Sequence, residues 1–213
     1  MSGVNVKFSL SHLSQRVHVL FREPYSDWTA EEILHYFRER DSITYFPVID
    51  PFETEQNKIE KIVHDEFEFN GETQCLPPPI RWTHNPSQDT EWLILLHKFY
   101  YAVGLGVAFA DTEDLRYLNK WVTLTDSWMN LVPLNFFPSD VAGRRIQNWI
   151  FAHYFFVTQE KSEDLDPDFY AKFLSSLSQQ VSYLSHHLTP ARNHRTLELC
   201  AIFLAGVVFP DLR

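Results

Sequence analysis

The chain has 213 residues, 45% of them hydrophobic and 15% aromatic, which is enough to build a substantial core and excludes an intrinsically disordered segment. Eighteen Lys and Arg stand against twenty-eight Asp and Glu, a formal charge of -10, so no basic field exists to gather nucleic acid. Two cysteines, Cys75 and Cys200, are too few for a disulfide framework or a four-thiolate zinc site and read as free, buried thiols.

Along the first thirty residues, Lys7, His12, Arg16, His18 and Arg22 interrupt every apolar run, so no signal-peptide core can be drawn. As given, the chain is expected in the cytoplasm, with a periplasmic or secreted location open if its N-terminus is incomplete. Residues 1–86 form a loop-rich segment. Thr29 and Glu32 make a capping box that starts a helix over Ala30–Arg40. Phe67-Glu68-Phe69 alternates before Asn70-Gly71, the signature of a short β-hairpin, and Pro77-Pro78-Pro79 stiffens the exit.

From residue 87 to 213 apolar residues recur at helical spacing. Helices are placed at Gln88–Ala110, Thr112–Asn130, Ser139–Val157, Asp166–Leu188 and Asn193–Phe209, with caps at Thr112, Ser139 and Asp166, the last followed by Pro167. Short links force neighbours antiparallel, so the fold class is mainly α, with helical hairpins stacked about a common axis as one structural domain. Trp92–Ala110 and Leu199–Phe209 are apolar enough to suggest a membrane, but buried helices explain both better. The final helix is almost wholly apolar, so either a missing part of a larger protein covers it or it is central and enclosed by the other helices.

Three clusters carry possible chemistry. At Thr189–Arg195 an amide, an imidazole and two guanidiniums meet a helix N-terminus, which favours anions; Asn193 could hold a carboxylate and His194 accept a proton, or Asn193 merely caps and His194 is a solvated first-turn residue. Arg145, Asn148 and Trp149 share one helical face that suits an acidic sugar, or else they are buried. Trp82 and His84 could rim a cleft or turn a packed corner, and His97 could be an interior histidine. A metal at His186, His187 and His194 is not expected, since adjacent histidines point to different helix faces, and six glycines leave little for a nucleotide loop.

Taken in order, Phe67–Gly71, Arg81–Pro86 with Glu91-Trp92, Arg144–Trp149, and Asn193–Glu198 with Phe209-Pro210 resemble the N-terminal domain of heparinase II/III-type polysaccharide lyases, a family that includes alginate lyases. The resemblance implies an incomplete (α/α) toroid whose cleft binds an acidic, uronic-acid polysaccharide without a cofactor or metal. In a parent protein, further toroid helices and a C-terminal β-sandwich domain would follow. It also implies β-elimination, in which a carboxylate is neutralised, the proton on the adjacent carbon is removed, and the 4-linked sugar leaves. Asn193 matches the neutralising Asn and His194 the active-site His beside it. Arg145, Trp149, Asn148, Trp82, His84 and Arg195 become substrate contacts, while Glu198 belongs to the helix motif. The tyrosine that protonates the leaving oxygen falls after the Asn-His motif, past the last residue here, and Tyr183 precedes the motif. Weak or no activity of this chain alone is therefore expected, with a non-catalytic helical scaffold or glycan-binding module as the alternative.

Overall fold

A computed structural model describes residues 27–40, 45–160, 162–190 and 192–212; most of the leader assessed above lies outside them. Its elements are α1 (Ala30–Glu39), α2 (Gln56–Val63), β1 (Glu66–Phe69), β2 (Glu72–Cys75), α3 (Thr90–Lys98), α4 (Tyr100–Thr112), α5 (Leu115–Leu131), α6 (Ser139–His153), α7 (Pro167–His186) and α8 (Arg192–Val208). A π-helical turn, Tyr154–Gln159, prolongs α6.

Local chemistry sets several boundaries as expected. Thr29 accepts from the Glu32 amide at 3.2 Å while Glu32 accepts from the Thr29 amide at 2.7 Å, so the capping box of α1 is complete. Asp166 accepts from the Asp168 amide and Pro167 opens α7. The hairpin pairs Phe69 with Glu72 across Asn70 and Gly71, which adopt φ of 52° and 77°, the mirror-image turn that matches strand twist.

Other boundaries differ. Thr112 ends α4 rather than capping α5, whose cap is Asp114, accepting from the Arg116 amide. Ser139 is the first residue of α6 and does not cap it, because its hydroxyl is drawn to Glu198. Helix α2 is an addition to the expected elements: its N-cap residue, Glu55, makes no side-chain cap bond, and the helix is only eight residues long.

The largest departure lies at Phe99, where the helix expected over Gln88–Ala110 breaks into α3 and α4, bent by 45°. Phe99 takes left-handed backbone angles (φ 60°, ψ 31°) and its ring stacks on Trp82, with centroids 5.7 Å apart. A break strands carbonyls at the end of the first helix. Three of them are met by side chains: Tyr101 Oη donates to Leu96 O at 3.1 Å, Arg145 Nη1 to His97 O at 3.5 Å, and Asn148 Nδ2 to Lys98 O at 2.7 Å. Among the described residues no single helix is long and apolar enough to cross a membrane, and the bent pair is held in the core by Trp92, Leu96, Tyr101 and Leu105.

The architecture is mainly α, an arc of an (α/α) toroid in two rows. Helices α4, α6 and α8 pack side by side in one row; α5 and α7, continued by α1, form the other. The hairpin packs on α2 and α3. Aromatic rings fill the space between: Trp121 stacks on Phe156 at 4.6 Å, and Trp149 meets Trp128, Phe99 and Phe173 at 5.4–5.6 Å. The main apolar cluster includes residues from Ile33 to Phe209, and a smaller one gathers Val103, Phe151 and Phe155.

Helix α8 is not enclosed on all sides. Ala201, Ala205 and Val208 face the core, whereas Leu199 and Phe203 are exposed, Phe203 by 73%, because one side of α8 has no neighbour among the described residues. Cys200 shares that side, and Cys75 sits on the outward register of β2, so both thiols are exposed rather than buried.

Candidate active site

Helix α6 presents two chemically different faces. On the inner one, Arg145 is 2% exposed and its guanidinium lies over the Trp128 ring, 4.0 Å from the centroid. Its Nε donates to Gln180 Oε1 at 2.7 Å on α7. No ion pair with a carboxylate is formed among the described residues; the negative end of α3, through His97 O, offsets part of the charge. Burial pulls the Arg145 pKa down to about 9. Beside it, the Trp128 indole donates to His97 Nδ1 at 3.1 Å, which leaves His97 Nε2 to carry the proton and donate to Trp82 O at 2.8 Å. Burial, reinforced by Arg145, lowers the His97 pKa to about 4, and the ring is neutral.

The outer face begins at the N-terminal turn of α6 and meets the first turn of α8. Asp140 Oδ2 lies 2.9 Å from His194 Nδ1. Because a carboxylate only accepts, the Nδ1 of His194 carries the hydrogen in this contact. His194 keeps 51% of its side chain in solvent, and Asn193 is exposed beside it. Helix α8 starts at Arg192, so Asn193 lies within the first turn instead of capping it. Arg192 enters with φ of 74°, a left-handed conformation costly for a residue bearing a Cβ.

A buried carboxylate holds this corner together. Glu198, fully enclosed, accepts from Ser139 Oγ at 2.7 Å, from the Thr189 amide at 2.8 Å and from Thr189 Oγ1 at 2.6 Å. It thus ties the start of α6 to the turn that leads into α8. Gly143 permits the approach: a Cβ there would stand 3.3 Å from Glu198 Cα. One turn past Asp140, Arg144 donates to Gln147 Oε1 at 3.0 Å and lies 5.9 Å from the Tyr100 ring centroid; Gln147 in turn donates to Leu197 O at 3.1 Å. Arg144 has no carboxylate partner within ion-pair distance among the described residues.

The residues singled out from sequence therefore separate. Asn193, His194 and Arg195 share the first turn of α8, where Arg195 donates to Pro190 O at 3.0 Å. Arg145, Asn148, Trp149 and Trp82 are buried, which corrects the expectation that they touch substrate: a group at 0–3% exposure offers no surface to a sugar. Arg145 and Asn148 instead cap the broken helix, Trp149 packs among aromatic rings, and the Trp82 indole donates to Ser127 Oγ on α5. His84 is exposed on that same loop. His186 and His187 are also exposed, each bonded to the carbonyl four residues before it, and no metal-holding group of His, Cys, Asp or Glu occurs among the described residues. Asp140 and Arg144, which are not among the candidates drawn from sequence, lie at this same corner. The signal was the helical phase, since the apolar run Val141, Ile146, Trp149, Ala152 places 145 inward and 140 and 144 outward.

An apolar cleft of about 310 Å³ between α7 and α8, lined by Leu177, Val181, Ile202, Ala205 and Phe209, holds none of these groups.

Comparison with known proteins places the chain in a family. A family model described as heparinase II/III N-terminus matches residues 5–213. A heparin-sulfate lyase of Pedobacter heparinus is 29% identical over 143 residues, 63% of this chain and 21% of that protein. The crystal structure of a heparan sulfate lyase from Pedobacter heparinus superposes with a TM-score of 0.74 at 24% identity, over 98% of this chain and 35% of that one. A crystal structure of heparinase III gives 0.78 at 16% identity, over 93% and 35%. At these identities the solved structures are likenesses of fold, and the chain spans about a third of their length and about a fifth of the curated relative's.

Proposed function

The chain belongs to the heparinase II/III N-terminus family, and from that premise we propose that it is the N-terminal toroid part of a polysaccharide lyase that cleaves a uronic-acid-containing glycan by β-elimination. The observation that carries the reading is the exposed Asn193-His194 pair on the first turn of α8, with His194 engaged by Asp140. A proton next to an ionised carboxylate is scarcely acidic until hydrogen bonds spread the charge that builds as it leaves. The Asn193 amide donates to that carboxylate, and the positive end of α8 adds to the effect. His194 Nε2 takes the proton, the C–H electron pair becomes the new double bond, and the 4-linked oxygen departs with a proton from an acid not assigned to this chain.

With a net charge of -10 the protein repels a polyanion at long range, so local cations must do the holding. Arg144, on the same outer face as Asp140 and without a carboxylate partner among the described residues, supports this reading as one such cation. The names of the relatives, a heparin-sulfate lyase and a heparan sulfate lyase, support an acidic polysaccharide as substrate.

The test is the ultraviolet absorbance of the unsaturated uronate when the protein carrying this chain is incubated with heparan sulfate, alginate or chondroitin sulfate. Asn193→Ala is expected to lower turnover by about 10²–10³-fold with the circular dichroism spectrum unchanged. Turnover indifferent to that substitution would remove the amide from the reaction. Binding without any growth in absorbance would favour the glycan-binding module.

A further inference from the structure

Resting on the reading of His194 above, we infer that Asp140 is the positioning residue of this site, and that it selects the imidazole tautomer whose Nε2 lone pair is free to accept a proton from the sugar. Nothing in the Asn-His pair alone dictates that form. An unrestrained neutral histidine can carry its hydrogen on either ring nitrogen, and a histidine protonated at Nε2 presents a donor where the elimination needs an acceptor.

The geometry makes the selection. Asp140 Oδ2 and His194 Nδ1 are 2.9 Å apart, and the carboxylate can only accept, so Nδ1 donates and Nε2 is left bare. Among the described residues Nε2 has no hydrogen-bond partner, and half of the side chain stays open to solvent. The pair bridges two helices whose spacing is set independently. Glu198 clamps Ser139, the residue before Asp140, to Thr189 in the turn before α8, and Gly143 allows close backbone contact one turn later. Asp140 is therefore held opposite His194 before any ligand arrives. When Nε2 gains the proton, the resulting imidazolium stays hydrogen-bonded to a carboxylate, which offsets the new charge.

The experiment reads the tautomer directly. In long-range ¹⁵N–¹H spectra of the 213-residue chain, with His194 assigned by the loss of its signals in His194→Gln, the neutral ring is expected to be protonated at Nδ1. Asp140→Asn is expected to shift it toward the Nε2-protonated form while the thermal midpoint holds, and Asp140→Glu to restore Nδ1 protonation in part. In the lyase assay, Asp140→Asn should lower kcat at least about 10-fold with little change in KM. An Nε2-protonated ring in the unsubstituted chain, or a tautomer that ignores Asp140→Asn, overturns the inference. So does a tautomer switch that leaves kcat unchanged. If His194→Gln also leaves kcat unchanged, the reading of the site itself fails, and the two failures are thereby told apart.

Discussion

On the inner face of α6, Arg145 and Asn148 spend their donors on the carbonyls of a bent neighbour, while on the outer face Arg144 and Asp140 meet a glutamine, an aromatic ring and an imidazole at the surface. The residue types are nearly the same and the sequence separation is a single position. A helix advances by about 100° per residue, so one step carries a guanidinium from a half-buried surface position into a packed aromatic layer. Inside, its geometry is fixed by the fold and it serves as structure; outside, it keeps the freedom to meet a ligand.

Acid should separate the two faces most. Burial holds His97 and His153 neutral, with folded pKa values of about 4 and about 3, below the ordinary 6.5, so the unfolded chain binds more protons. Their contribution is complete above about pH 6.5 and is lost as pH falls toward about 4 for His97 and about 3 for His153, at roughly 3 kcal/mol or more each. Urea unfolding between pH 7 and pH 4 measures this, and His97→Gln should flatten part of the slope. A stability profile level down to pH 4 would mean that water reaches the inner face and that burial does not hold these rings neutral.

Removing the inner arginine comes next. Arg145→Ala strips donors from Gln180 and from the end of α3 and empties a packed site, and is expected to cost about 2–4 kcal/mol. Glu198→Ala, which orphans Ser139, Thr189 and the start of α8, should cost about 1–3 kcal/mol and broaden the amide resonances of Asn193 and His194. Arg144→Ala should stay within about 0.5 kcal/mol of the parent in stability. By calorimetric titration, however, it should weaken binding of heparan sulfate oligosaccharides several-fold. Equal stability losses for the two arginines would erase the distinction between the faces.

What could be read in the sequence was local in cause. The Thr29-Glu32 box, the Asn70-Gly71 turn and the Asp166-Pro167 start are each decided within a few residues, and each forms as expected. The helical periods after Pro86 gave the hairpin stack, and the order of the motifs gave the family. The break at Phe99 was not legible, because two of the side chains that stabilise it, Arg145 and Asn148, stand 48 and 50 residues beyond His97 and Lys98, whose carbonyls they meet. Short α2 lacks a cap signal. At the site, Asn193 and His194 stood out by type and motif, but Asp140 drew no notice: an aspartate in a first helical turn is ordinary until the second helix brings an imidazole to it. Arg145 was favoured over Arg144 because the amphipathic phase of α6 was read for a sugar face rather than for the core.

The bend between α3 and α4 also carries a consequence for how the chain matures. A nascent polypeptide that has emerged only as far as Thr112 already owns Tyr101 but neither of the two later side chains that satisfy the carbonyls of His97 and Lys98. In that interval a continuous rod is the better way to pair those groups. The corner thus depends on a segment synthesised afterwards, and these two carbonyls find their side-chain donors only once α6 packs against them.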